Sequence, residues 1–190
     1  MYVIIAVCAN VRDRLLFPII PTKDMKRPPY PYIIDVEASG FGPHGYPIEV
    51  GLALEPDHRY CTLIRPADDW VHWDDHAESV HQVCREDLIQ HGRTVSDVAL
   101  ELNRLLQDKV VYSDAWGVDY PWIIKLYASA GISAAFRVSA LEMILTERQL
   151  ELWSDTRDVV ISDLGLQRHR ASNDARIIQE TYVRTLTMLA

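Results

Sequence analysis

Residues 32–54 carry the sequence YIIDVEASGFGPHGYPIEVGLAL, in which two apolar runs are separated by a loop rich in glycine and proline. Short apolar runs bounded by such turn residues are typical of β-strands. A third apolar run follows after Pro56 and Asp57. The pattern therefore predicts a three-stranded antiparallel meander, with strands at Tyr32–Val36, Ile48–Leu54 and Tyr60–Ile64.

Asp35 and Glu37 lie two residues apart inside the first predicted strand. Residues i and i+2 of a strand project from the same face, and Ile33 belongs to that face as well. Two carboxylates on a face expected to be buried repel each other and lose hydration unless a cation lies between them. Hard divalent ions such as Mg²⁺ take oxygen ligands of this kind, so the pair predicts a metal site. The alternative is a strand end that carries two solvated acids.

Helical and strand-like patterns alternate along the rest of the chain. The segment Pro66–Gly92 is predicted to be irregular with one short helix, and Pro121 is expected in the first turn of a helix that ends at Gly131. Together the patterns predict an α/β domain, a mixed sheet flanked by helices. The remaining predicted elements are a helix at Thr94–Gln107, strands at Lys109–Ser113 and Arg137–Leu141, and helices at Thr146–Val160 and Arg170–Met188.

Two more acids occupy positions that are expected to face the core. Asp119 is predicted to open the second helix at the top of its apolar stripe, and Asp174 lies on the apolar face of the last helix. Aspartate is a poor occupant of a buried face without a partner. Asp119 would also serve as a helix N-cap, and Asp114, at the end of the preceding strand, is a rival for its role. His169 can accept a proton from water, because imidazole titrates near neutral pH.

The spacing of these residues resembles the motifs of the DEDDh 3′→5′ exonucleases, which belong to the RNase H-like superfamily. Residues 35–40 (DVEASG) resemble their D-x-E-T/S-x-G motif, with Ser39 in place of the commoner Thr. Their second acid matches Asp119, and their H-x₄-D motif matches residues 169–174 (HRASND). The chain departs from the family before the second acid, where Ser113 and Asp114 replace the frequent His-Asn. The resemblance covers about residues 31–188 and implies an RNase H-like fold, in which parallel strands follow the antiparallel meander.

The resemblance also implies a function, which is metal-dependent hydrolysis of phosphodiester bonds from single-stranded 3′ ends with two Mg²⁺ or Mn²⁺ ions. An aromatic side chain suits the terminal base, because every base can stack on it. The residues expected to hold the terminal nucleotide are Ser39, Gly40 and Phe41. The expected catalytic set is Asp35 as the ligand shared by both ions, Glu37 and Asp174 on the ion that binds water, Asp119 on the other ion and His169 as the general base.

Arginines near the last motif are candidates for phosphate contacts, with ordinary surface positions as the alternative. They are Arg168, Arg170 and Arg176. The Ser113–Asp114 departure motivates one rival function, a catalytically weak nucleic-acid-binding module. A second rival is a phosphodiesterase of short oligonucleotides. The small size and the lack of a polymerase-linked part also favour RNA slightly over DNA, and the resemblance implies a homodimer.

The chain has 190 residues and a formal net charge of −8. This negative charge argues against extensive binding of a nucleic-acid duplex. It does not argue against an enzyme that binds a strand end through metal ions. Three scattered cysteines argue against a disulfide framework and indicate a cytoplasmic protein. Residues 1–30 are predicted to be an N-terminal extension of uncertain structure, in which Met25 is a candidate start, and residues 31–190 the exonuclease domain. The apolar run Met1–Ala9 is too short to cross a bilayer, so no membrane association is expected.

Overall fold

The computed structural model of this chain describes residues 30–189, so almost all of the predicted N-terminal extension lies outside the described residues. Five strands form one sheet in the order β3-β2-β1-β4-β5. The first three strands are antiparallel neighbours, whereas β4 runs parallel to both β1 and β5. This arrangement confirms the predicted mixed sheet. The strands are β1 (Tyr32–Ala38), β2 (Pro47–Ala53), β3 (Arg59–Leu63), β4 (Val110–Ser113) and β5 (Arg137–Ala140).

Six α-helices flank the sheet within the described residues, and none of them is long and apolar enough to cross a membrane. A short 3₁₀ turn, Leu141–Ile144, follows β5. The helices are α1 (Asp75–His81), α2 (Arg85–His91), α3 (Val95–Leu106), α4 (Trp116–Ala130), α5 (Glu147–Leu164) and α6 (Ala171–Met188).

Two helical predictions were wrong. The segment Pro66–Gly92 holds two short helices rather than one, because Gln82 adopts a left-handed φ of 57° that ends α1 before α2 begins. Helix α4 begins three residues before Asp119, so this acid closes the first turn rather than opening it, and Pro121 lies beyond the first turn. The rings of Trp116 and Tyr120 stack one turn apart, with 5.3 Å between their centroids, and stabilise this earlier first turn.

Alternate residues of β1 pack into two separate hydrophobic cores. Ile34 and Val36 belong to the larger core, which includes side chains of α3 and α4. Ile33 belongs to the smaller core, together with Ile178 and Tyr182 of α6. Because side chains alternate between the faces of a strand, the acids at positions 35 and 37 continue the face that carries Ile33, toward α6.

Helix α6 begins directly on the backbone of β2. Gly51 pairs with Asp35 across the β1–β2 ladder, and a Cβ atom at Gly51 would lie only 2.0 Å from the backbone nitrogen of Ser172 and 2.1 Å from the carbonyl carbon of Ala171. No side chain fits in this space. The glycine therefore allows the first turn of α6 to approach the strand opposite Asp35.

We expect Gly51→Ala to lower the free energy of unfolding by about 3 kcal/mol or more, because the added methyl group must push the start of α6 away from the sheet. Urea denaturation measures this change. Gly117→Ala is the matched control, since a Cβ atom there meets nothing within 4 Å, and alanine in a helix should stabilise by roughly 0.5–1 kcal/mol. Similar stabilities of the two variants would contradict the close approach.

Candidate active site

One open cleft of about 330 Å³ contains all five predicted catalytic residues. It lies at the carboxyl ends of β1 and β4, where α4 and α6 begin. The sheet and the two helix starts therefore bring together residues that are far apart in sequence. These residues are Asp35, Glu37, Asp119, His169 and Asp174.

Asp35 is the acid toward which the other carboxylates of the cleft converge. Burial raises its pKa well above the usual range, and repulsion raises it further, first from Asp119, then from Glu37, Asp174 and Asp114. A buried cluster of this kind is costly unless a cation neutralises it. Carboxylate oxygens that converge in this way fit a hard divalent ion.

Burial also raises the pKa of Glu37 and the pKa of Asp119, each to about 7. For Asp119, hydrogen bonds from the Ser113 hydroxyl and from the backbone N–H of Val36 oppose this increase. The Ser113 Oγ atom lies 2.5 Å from the Asp119 carboxylate. Asp119 is thus bonded directly to β1, whereas its rival Asp114 lines the same cleft and faces Arg157 at 3.8 Å.

The H-x₄-D motif forms a compact loop before α6. The Asp174 carboxylate accepts hydrogen bonds from the backbone N–H of His169 at 2.8 Å and from Arg168 Nε at 2.5 Å. His169 adopts a left-handed φ of 60°, a conformation that costs roughly 1 kcal/mol outside glycine. Its exposed side chain offers a ligand atom that lies, with ligand atoms of Glu37 and Asp174, in a group whose members are all within 4.8 Å of one another. The carboxylates of Glu37 and Asp174 are close enough to bind one metal ion, with the imidazole of His169 beside it.

A buried ion pair that the sequence did not reveal fixes this loop to the sheet. Glu49, fully buried in β2, accepts hydrogen bonds from Arg170 Nη2 at 2.6 Å and from Arg170 Nε at 3.2 Å. It also accepts the N–H of Ala171 at 2.9 Å, where a negative charge is favourable at the start of α6. The sequence signal for this ion pair was Glu49 itself, the single acid in the apolar run Ile48–Leu54.

A second hollow of about 260 Å³ adjoins the cleft and shares Val36, Glu37, Val118 and His169 with it. The predicted nucleotide-binding residues Gly40 and Phe41 line this hollow, and Phe41 is 81% exposed. The sequence reasoning missed the contribution of α1 and Trp122 to its walls. The other lining residues are Ala38, Asp74, His76, Ala77, Val80, His81 and Trp122.

Ser39, the third predicted nucleotide-binding residue, is fully buried behind the hollow. Its N–H donates to the carbonyl of Tyr46 at 2.9 Å, and its hydroxyl accepts the N–H of Tyr46 at 3.1 Å. Its carbonyl accepts the N–H of Asp74 at 3.0 Å. These bonds occupy the backbone of Ser39, so this residue shapes the loop that presents Gly40 and Phe41.

The predicted phosphate-binding arginines all form ion pairs within the protein. Arg168 contacts Asp174, Arg170 contacts Glu49, and Arg176 contacts Glu180 at 3.2 Å. Of these three, Arg168 alone lines the cleft.

No family model matches the chain. A DNA polymerase III of the PolC type from Thermotoga maritima is 23% identical over 166 residues, and that from Thermotoga petrophila is 22% identical over 166 residues. The aligned region covers 83% of this chain but only 12% of each polymerase. The chain thus corresponds to a small part of these relatives.

Solved structures of exonuclease I have the same fold. The zinc-bound complex of Escherichia coli exonuclease I with single-stranded DNA superimposes with a TM-score of 0.65 and 11% identity, over 83% of this chain and 40% of that chain. Exonuclease I from Methylocaldum szegediense gives a TM-score of 0.61 and 11% identity, with the same two coverages. These comparisons show that the chain shares the mixed α/β fold of exonuclease I, which agrees with the fold that the resemblance to DEDDh exonucleases implied.

Stability without divalent ions should fall as the pH rises from about 4.5 to about 7. Glu37 has a pKa of about 7 in the folded chain against 4.5 for an unperturbed glutamate, so the folded state binds more protons in this range and loses that advantage as the carboxylate ionises. Mg²⁺ should therefore raise the thermal unfolding midpoint much more at about pH 8 than at about pH 5. In EDTA, Asp35→Asn should be more stable than the parent. Stabilisation by Mg²⁺ that survives Asp35→Asn would contradict the site.

Glu49→Gln should lower the free energy of unfolding by roughly 2–3 kcal/mol, because it removes the charge partner of Arg170 and the negative charge at the start of α6. Glu101→Gln, which disrupts a surface pair with Arg104, should cost less than about 1 kcal/mol. Chemical denaturation of both variants provides the comparison. Equal costs would show that the buried pair does not hold α6 in place.

Proposed function

We propose that this chain is a metal-dependent 3′→5′ exonuclease that acts on single-stranded nucleic acid, with residues 31–190 as its exonuclease domain. The observation that carries the proposal is the convergence of four acids and His169 in one cleft, beside a largely apolar hollow. The fold shared with exonuclease I and the sequence similarity to PolC-type polymerases support it.

Each acid has a role that follows from its position. Asp35, on which the other carboxylates converge, would contact both of two divalent ions, Mg²⁺ or Mn²⁺. Glu37 and Asp174 would hold one ion and Asp119 the other, with Asp119 favoured over Asp114 because Asp119 is bonded to β1. Ions bound there would lower the pKa of a water molecule and stabilise charge on the leaving oxygen.

His169 would act as the general base. It would accept the proton of the attacking water on an imidazole nitrogen, and its exposed side chain lies at the boundary between the cleft and the hollow. Two interactions hold the loop that presents this ring: the hydrogen bond from the His169 N–H to the Asp174 carboxylate, and the ion pair between Arg170 and Glu49. The loop therefore keeps His169 beside the acids, although its side chain is exposed.

The hollow would hold the terminal nucleoside. Its walls include the exposed ring of Phe41 and the apolar side chains of Val80 and Val118, on which any base can pack. A base must be unpaired to enter such a space, which supports a single-stranded end as the substrate. The exonuclease I structures with bound single-stranded DNA favour DNA, whereas the slight preference for RNA stays a prediction. The cytoplasmic location and the homodimer also stay predictions.

The purified protein should shorten a single-stranded oligonucleotide with Mg²⁺ or Mn²⁺ present and should be inactive in EDTA. Asp35→Ala should abolish turnover, because the shared metal ligand is lost. His169→Ala should reduce kcat by roughly 10²–10⁴-fold while divalent-ion binding, measured by calorimetry, is retained. Asp155→Ala, which removes an exposed acid of α5 that does not line the cleft, is the control and should leave kcat unchanged.

Activity that survives EDTA or Asp35→Ala would contradict the proposal. Oligonucleotide binding without turnover in the parent protein would instead favour the catalytically weak binding module. Hydrolysis of dinucleotides but not of longer strands would favour the phosphodiesterase of short oligonucleotides. Matched RNA and DNA strands of one sequence would decide the preferred sugar.

A further inference from the structure

Helix α5 places the positively charged side chain of Arg157 in the acidic cleft. Arg157 lines the cleft beside Asp114, and its side chain is 31% exposed. Neither residue lines the neighbouring hollow, which shares other residues with the cleft. Arg157 therefore lines a part of the cleft that is not shared with the hollow.

The guanidinium of Arg157 is only loosely held. Its Nη1 atom lies 3.8 Å from Asp114 Oδ2, which is longer than a hydrogen bond. Its Nε atom is buried and has no hydrogen-bond partner within the part of the chain that the structure describes. A guanidinium carries five N–H donors, so Arg157 keeps donors for an acceptor that enters the cleft.

The other arginine that lines the cleft differs in this respect. Arg168 already donates to the Asp174 carboxylate at 2.5 Å. Arg170, nearby in sequence, is committed to the buried Glu49 by three hydrogen bonds. Among the described residues that line the cleft, Arg157 is thus the arginine whose donors are not committed to a carboxylate at hydrogen-bond distance.

We propose that Arg157 binds a phosphodiester oxygen of the nucleic-acid strand, an inference that rests on the proposed exonuclease function. A terminal nucleoside in the hollow would place its phosphate at the acids of the cleft, and Arg157 lines this cleft but not the hollow. A phosphodiester matches the planar guanidinium, which donates parallel hydrogen bonds to two oxygens.

The position of Asp114 beside Arg157 also indicates a role for this acid. Arg157 Nη1 faces Asp114 Oδ2, and the guanidinium carries further N–H donors besides those on this nitrogen. Asp114 is then a positioning residue for Arg157, in contrast to Asp119, which is bonded to β1. This assignment gives the two neighbouring acids different functions.

The test compares Arg157→Gln with Arg148→Gln on the same helix. Arg148 is 74% exposed, pairs with Glu151 at 3.6 Å and does not line the cleft. Arg157→Gln should raise KM for a single strand about tenfold. In a His169→Ala background, it should raise the Kd of a 5′-labelled strand by a similar factor, measured by fluorescence anisotropy in Mg²⁺. The slope of log Kd against log salt should fall by roughly 0.7–1.

Two further comparisons separate a phosphate contact from a structural effect. Arg157→Lys, which keeps the charge, should recover part of the affinity, and the thermal unfolding midpoint of Arg157→Gln should match that of Arg148→Gln. A dinucleotide contains only the scissile phosphodiester, whereas a trinucleotide adds the next one. A loss with both substrates assigns Arg157 to the scissile phosphate, and a loss with the trinucleotide alone assigns it to the adjacent phosphate.

The inference is overturned when Arg157→Gln leaves KM, Kd and the salt slope within about twofold of the parent, or changes them no more than Arg148→Gln does. Failure of the proposed function has a different signature: the parent protein itself neither binds nor shortens the strand. A parent protein that cleaves normally while Arg157→Gln behaves identically refutes the phosphate contact alone.

Discussion

The direct contact between the first turn of α6 and the backbone of β2 is the constraint on which the site depends. Gly51 leaves the space in which Ala171 and Ser172 approach the strand, and Glu49 binds the start of the helix two residues away. This contact places the loop with His169 and Asp174 opposite the acids of β1. A bulkier residue at position 51 would separate the two halves of the site without changing any proposed catalytic residue.

The site that results is electrostatically unfavourable in the protein alone. Acids from β1, α4 and α6 repel one another, and burial raises the pKa values of Asp35, Glu37 and Asp119. The two hydrophobic cores on either side of the sheet stabilise the fold against this repulsion. A divalent ion bound among these acids would relieve the repulsion, so the features that destabilise the metal-free chain are those that would give the proposed ion its affinity.

Local patterns predicted much of this structure. The alternation in β1 correctly gave the shared face of Ile33, Asp35 and Glu37, and helical spacing gave the buried face of α6. The start of α4 was missed, because its N-cap is Ala115, which has no side chain that could form a capping hydrogen bond. The partners of Glu49 and Arg157 were also missed, since Glu49 lies 121 residues from Arg170, and such contacts arise only when the sheet and helices assemble.

The acids of the cleft are proposed to serve an exonuclease that starts at the 3′ end. The most direct measurement follows a 5′-labelled single-stranded DNA over time with Mg²⁺ present. We expect a ladder that shortens one nucleotide at a time from the 3′ end, release of mononucleotides, and resistance of a strand whose 3′-terminal linkage is blocked. Internal cuts, or equal cleavage of the blocked strand, would contradict it.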